Sequence, residues 1–133
     1  AEALGTGLLA VVVFGSVERR NASRPRLLTA AMIGLTVTLL ISLLGPLTMA
    51  AFNPARDLAP RLFSSLAGWG GVPFTVNGSG WLTVYVLAPI AGAVAGGGLY
   101  KGCLAPAYAW SARPRETGKA LRRPSPGIFR PSS

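Results

Sequence analysis

An all-α membrane protein with three transmembrane helices and one re-entrant half-helix is the fold class this sequence predicts, and three observations predict it. Half of the 133 residues are apolar and only 13% are charged, against about a quarter charged in an ordinary soluble domain; mean hydropathy is +0.47. Three uncharged stretches, 3–17, 27–52 and 81–100, each carry most or all of a bilayer crossing. Between the second and third lies Asn53-Pro54-Ala55-Arg56-Asp57, which sets an arginine and an aspartate inside a chain otherwise suited to lipid. An intramembrane charge marks a functional site by default.

The first helix is expected over 1–18. Its uncharged part, Ala3 to Val17, is 15 residues, which at 1.5 Å per residue covers roughly 22 Å of a hydrocarbon core about 30 Å thick. The run starts at Ala1-Glu2 with no initiator Met, basic leader or cleavage site, so the chain reads as a piece of a longer protein whose missing turn lies upstream. The second helix is expected over 27–47, with Gly45 and Pro46 marking its end. The third covers 81–104, with Trp81 and Tyr85 near one end and Tyr100 near the other, where interfacial aromatics belong. Small residues stand four apart in each span (Ala3 and Gly7, Ala30 and Gly34, Gly92 and Gly96), a spacing that lets helices approach closely in lipid and that also arises by chance in Gly- and Ala-rich helices.

Between the second and third spans a half-helix is expected over 53–66. Asn is a strong N-cap and Pro is favoured at the first helical position; Gly68, Gly70, Gly71 and Pro73 then stop it. At about 20 Å it is too short to cross, and it is too apolar for a soluble loop, so a re-entrant segment fits. Irregular backbone at membrane depth must line a watery cavity or be buried in protein, so Thr48 to Phe52 should present carbonyls to a pore.

The cations set orientation. The linker 18–26 carries Arg19, Arg20, Arg24 and Arg26, and the far end carries Lys101 and six more between Arg113 and Arg130. The positive-inside bias makes both regions cytoplasmic. Residues 105–133, rich in Pro, Ser and Arg, are expected to be a disordered basic cytoplasmic tail able to meet anionic membrane lipid; with no stacking aromatics among the charges, nucleic acid is not an expected partner. Asn77-Gly78-Ser79 fits a glycosylation sequon and also a turn, and the turn is the reading taken. No histidine, one cysteine (Cys103) and no carboxylates in reach of one another leave no basis for a metal site, a cofactor or an enzyme.

Gly45-Pro46-Leu47-Thr48, Asn53-Pro54-Ala55-Arg56-Asp57 and Leu66-Ala67-Gly68-Trp69-Gly70, in that order and spacing, resemble the second half of a glycerol facilitator, in the major intrinsic protein or aquaporin family. The resemblance runs from Glu2, similar to the family's fourth helix, to the sixth helix near Leu104. It implies that residues 1–104 are the C-terminal half of an inverted repeat, in which two Asn-Pro-Ala half-helices meet head to head at the membrane midplane. In aquaporins the positive ends of half-helices are a known device for excluding protons and cations.

On this resemblance Asn53 caps the half-helix and offers its amide to the permeating molecule, with Pro54 and Ala55 completing the motif. Arg56 holds hydroxyls and deters cations, and the carbonyls of Met49, Ala50 and Ala51 form an acceptor stripe. Glu2 holds the loop by accepting its N–H groups, although its place near the start of the chain also fits a solvated end. Asp57, the mark of the glycerol-conducting branch, serves loop geometry and charge balance; Arg56 with Asp57 also fits a plain surface pair worth under about 1 kcal/mol. Two positions depart from the pattern: Ala50 stands where glycerol-conducting members carry an aromatic, and Ile41 where many carry glycine.

The resulting expectation is a passive multi-pass channel of the plasma or inner membrane for glycerol and similar neutral solutes, with water. It needs no cofactor, excludes ions and protons, and forms a homotetramer when full length. A water- or urea-conducting aquaporin, and a non-conducting membrane anchor with a lipid-binding basic tail, are the alternatives.

Overall fold

The computed structural model describes residues 1–20 and 26–112, and these are helical, with no strand among them. Arg24 and residues 113–133, on which part of the topology and tail expectations rest, lie outside the described residues. Helix α1 covers Glu2–Val17 and α2 covers Arg26–Thr48. Helix α3 covers Pro54–Ser64 and loosens beyond it until Gly68, at φ 110°, breaks the helical path. A single turn, α4 (Val72–Thr75), leads to a long helix, α5 (Gly80–Ser111).

One boundary differs from expectation, at a proline. Helix α2 ends within a residue of the expected 47, carrying Pro46 inside it and closing on a Met49 N–H to Gly45 carbonyl bond of 2.7 Å. The last helix does not give way to disorder at residue 105; it continues as Ala105–Ser111. Proline at the start of a helical turn gives up an N–H that is already unsatisfied there. Pro89 and Pro106 both sit at such a start, each directly after a widened π turn, Thr83–Leu87 and Tyr100–Leu104. The helix absorbs each missing donor by slipping register rather than by ending.

Few side chains are enclosed. The buried apolar core is Leu40, Ala50 and Phe52, flanked by Leu9, Ile41 and Leu44. Only 6% of the most apolar window of Leu28–Thr48 and 17% of that of Gly80–Ser111 is buried. A helix that apolar in a soluble protein would be enclosed by its own core; these two face outward, as helices do whose solvent is lipid. The chain is an all-α membrane protein.

Helix α1 packs chiefly along the Ala88–Leu99 stretch of α5, and more lightly on α2. The contact is backbone to backbone. A methyl group added at Gly92 would collide with Ala3, and one at Gly96 with Gly7, both against main-chain atoms. Of the three small-residue pairs in the sequence, the first and third therefore form one interface, whereas Gly34 has nothing within 4 Å of where a side chain would begin. Gly96→Leu should lower stability by about 1–3 kcal/mol, the usual cost of overpacking, while Gly34→Leu should stay within about 0.5 kcal/mol. Thermal unfolding in detergent measures both, and equal midpoints would show that the close approach is dispensable.

The far end of this interface is polar. Phe14 and Tyr100 stack at 5.5 Å between ring centroids, and the Tyr100 hydroxyl donates to the Glu18 carboxylate. That bond, with the Arg20 N–H donating at 3.1 Å, holds Glu18 below the ordinary carboxylate range.

Candidate functional site

The connection between α2 and α3 folds around one carboxylate. Glu2 is 1% exposed. Its Oε1 accepts the Thr48 hydroxyl at 2.7 Å and the Ala51 N–H at 3.0 Å, and its Oε2 accepts the Phe52 N–H at 2.6 Å. Backbone groups in a segment without regular structure need acceptors from elsewhere, and a charged acceptor is the strongest available. The Thr6 hydroxyl, bonded to the Glu2 carbonyl at 2.8 Å, adds a longer bond of 3.3 Å to the Phe52 carbonyl.

This anchoring holds an unusual backbone. Met49, Ala50 and Phe52 have φ of 61°, 48° and 51°, a left-handed conformation that side-chain-bearing residues rarely adopt. Each such residue costs on the order of 1–3 kcal/mol and persists only where its surroundings over-determine it. The turn throws the Phe52 ring against Gly5, where no Cβ fits beneath it, and leaves Ala50 0% exposed.

Asn53 ends the loop in an extended conformation, φ −155°, and its Oδ1 accepts the Ala55 N–H at 2.9 Å. With Pro54 at the first position, α3 starts as its sequence dictates. Asn53 is exposed. Arg56 is exposed too, and donates a long 3.5 Å bond to the Ala50 carbonyl.

Asp57 does not pair with Arg56. Its partner is Arg61, whose Nε and Nη2 meet the two carboxylate oxygens at 2.5 and 3.0 Å. The same guanidinium donates to the Pro73 carbonyl and lies over the Tyr85 ring, 5.3 Å from its centroid. With side chains 14% and 13% exposed, this is a half-enclosed fork, not a solvated surface pair. Arg61 escaped the sequence reading although its i,i+4 spacing from Asp57 was there to be seen; Pro73 and Tyr85 join it only through the fold.

A cavity of about 390 Å³ opens beside α3, and among its lining residues are Met49, Ala51, Arg56, Asp57, Pro60 and Arg61. Four of the residues singled out from sequence thus meet at one surface. Glu2, Asn53 and Ala55 are not among its lining residues, Asn53 capping the helix by accepting the Ala55 N–H, and Ala50 and Ile41 do not reach it: Ala50 is enclosed and Ile41 packs on the Leu40, Ala50, Phe52 core. The arrangement juxtaposes guanidinium donors with a short apolar wall.

Comparison with known proteins places the sequence in a family. The family model for the major intrinsic protein matches residues 1–100. Aquaporin-9 of Homo sapiens is 41% identical over 99 residues, covering 74% of this chain and 33% of the relative. Aquaporin-10 of Homo sapiens is 40% identical over 100 residues, 75% of this chain and 33% of the relative. Aquaporin-7 of Mus musculus is 40% identical over 105 residues, 79% of this chain and 34% of the relative. The chain spans about a third of the length of these relatives. No solved structure matches it.

Proposed function

Because the chain belongs to the major intrinsic protein family, we propose that it supplies the second half of a passive transmembrane channel conducting glycerol and similar small neutral solutes, with water, and excluding ions and protons. One observation carries the reading. The Asn53-capped start of α3 follows a loop that Glu2 holds in a left-handed path, and Met49, Ala51 and Arg56 of this unit open onto one cavity.

The physical case is electrostatic. The first turn of α3 has backbone N–H groups that lack helical acceptors, equivalent to roughly half a positive charge at the helix start. A neutral hydroxyl compound can accept from the Asn53 side-chain NH2 and from Arg56, whereas a cation or a hydrated proton is repelled by the positive helix end. Carbonyls of Met49 and Ala51, both on the cavity-lining residues, replace lost hydration. The carbonyl of Ala50 is turned to Arg56 instead, so the acceptor stripe of this reading rests on two residues of the three.

The remainder of the proposal extends the family likeness. The partner half brings a second half-helix in inverted orientation, the channel assembles as a homotetramer in the plasma or inner membrane, and residues 18–26 and 105–133 face the cytoplasm. A broader urea and water conductor is the second reading, favoured by the burial of Ala50, which adds nothing to the cavity wall.

In the channel that contains this chain, Arg56→Ala should raise proton or cation leakage by roughly ten- to a hundredfold, since losing one well-placed charged donor removes on the order of 1.5–3 kcal/mol, while water flux persists. Stopped-flow permeability and a pH-sensitive dye in proteoliposomes read both. Unchanged leakage would place Arg56 away from the conduit.

A further inference from the structure

The cavity beside α3 has polar groups in unequal states. Asp57 and Arg61 spend their charges on each other, whereas Arg56 is exposed and holds one long bond. A solute hydroxyl or amide entering this space therefore meets Arg56. Its carbon-bound face needs an apolar surface within the same cavity.

Three residues could be considered for that surface, and the backbone decides among them. Ile41 is turned into the Leu40, Ala50, Phe52 core, and Ala50 is 0% exposed. Met49, one residue earlier in the left-handed turn, is 81% exposed and lines the cavity together with Arg56. Among the lining residues it is the one long, flexible apolar side chain; Ala51 ends at a methyl group and Pro60 is a rigid ring.

We propose that Met49 is the specificity-determining wall of this site, the surface against which the apolar face of the solute slides while Arg56 takes its hydroxyls. The proposal rests on the reading of the cavity as part of the conduit. A methionine wall has defined consequences. Its unbranched thioether turns about three bonds and adapts to different shapes, so it screens solutes by size loosely and accepts planar urea and branched polyols alike. A rigid aromatic at the same point would narrow the opening.

Two experiments test this. In proteoliposomes, Met49→Phe should lower glycerol and urea permeability about tenfold relative to water, the scale on which a pocket discriminates by one small group, and Met49→Ala should raise urea relative to water. If the wild-type protein conducts and both ratios stay fixed while Ile41→Gly shifts them, the wall belongs to α2 and the proposal falls. If the wild type conducts no neutral solute, the channel reading falls and takes this inference with it. The second test does not need conduction. Because Cys103 is exposed, it is first replaced by Ser; Met49→Cys in that background should then react quickly with a membrane-impermeant thiosulfonate, and glycerol should slow the reaction. Ala50→Cys should stay unreactive. Equal reactivity at the two positions, or no protection by glycerol, overturns the assignment.

Discussion

Glu2→Ala should destabilise the protein by about 2–6 kcal/mol, since it strips the acceptor from two backbone N–H groups that then cost about 1–3 kcal/mol each. These are Ala51 at 3.0 Å and Phe52 at 2.6 Å from the carboxylate. The residue is 1% exposed, so water does not take its place freely. Glu2→Gln should fall between: its oxygen can keep Thr48 and Ala51, but its NH2 then points at the Phe52 N–H, donor against donor. A second effect accompanies the first. With three left-handed residues between Met49 and Phe52, the loop relaxes once its anchor is gone, and the carbonyls and Met49 leave the cavity. Thermal unfolding in detergent should order the variants wild type, Gln, Ala, and solute selectivity should decline in the same order. An Ala variant within about 0.5 kcal/mol of wild type, the range of ordinary surface changes, would return Glu2 to the status of a solvated chain end.

How much of this was legible in the sequence depends on what kind of information residue types carry. Helix starts are written locally: Asn53 and Pro54 dictate a cap, and the cap is there. Apolar runs dictate helices, and α1, α2 and α5 stand over them. Glu2 is different, because nothing about a glutamate at the second position announces a partner 50 residues away; its role came from family resemblance. The sign of φ at Met49 and Ala50 was invisible, since neither is a glycine, and with it went the burial of Ala50 and the exposure of Met49. The prolines carried less information than they promised. Pro46 marks a helix end, yet α2 carries it inside and closes two residues later; Pro106, in a stretch whose composition reads as tail, sits instead in a helical turn that follows a π turn. The pairing of small residues was half legible: the spacing named three candidate faces, and only the tertiary fold could select Ala3, Gly7, Gly92 and Gly96 over Ala30 and Gly34.

Removing one member of the Asp57–Arg61 fork should cost more than removing both. An exposed i,i+4 pair contributes about 0.3–0.5 kcal/mol, but a half-enclosed pair obeys a different rule: loss of one partner leaves an uncompensated charge and costs about 3–5 kcal/mol. The two single changes should not be equal. After Asp57→Leu, the Arg61 guanidinium still has the Pro73 carbonyl and the face of Tyr85, so its charge keeps company. After Arg61→Leu the Asp57 carboxylate retains no cation among the described residues, because Arg56 bonds to the Ala50 carbonyl. Arg61→Leu is therefore the more damaging change, and Asp57→Leu/Arg61→Leu should recover about 1–3 kcal/mol of it, a coupling of the size seen for residues in one network. Arg61→Lys separates charge from shape: an ammonium keeps the attraction but loses the two-pronged fit and the stacking on Tyr85, so it should rescue only partly. The same cycle bears on selectivity. Arg61 ties α3 to the segment after it through Pro73 and to α5 through Tyr85, and Arg56 rides on that helix one turn earlier. A strictly electrostatic role would alter stability and leave the glycerol-to-water ratio of the double variant at the wild-type value; a positioning role moves the ratio in the double variant even where stability has recovered. The tie to two separate elements predicts the second result, and additive single effects each under about 0.5 kcal/mol would show the fork to be an ordinary solvated pair.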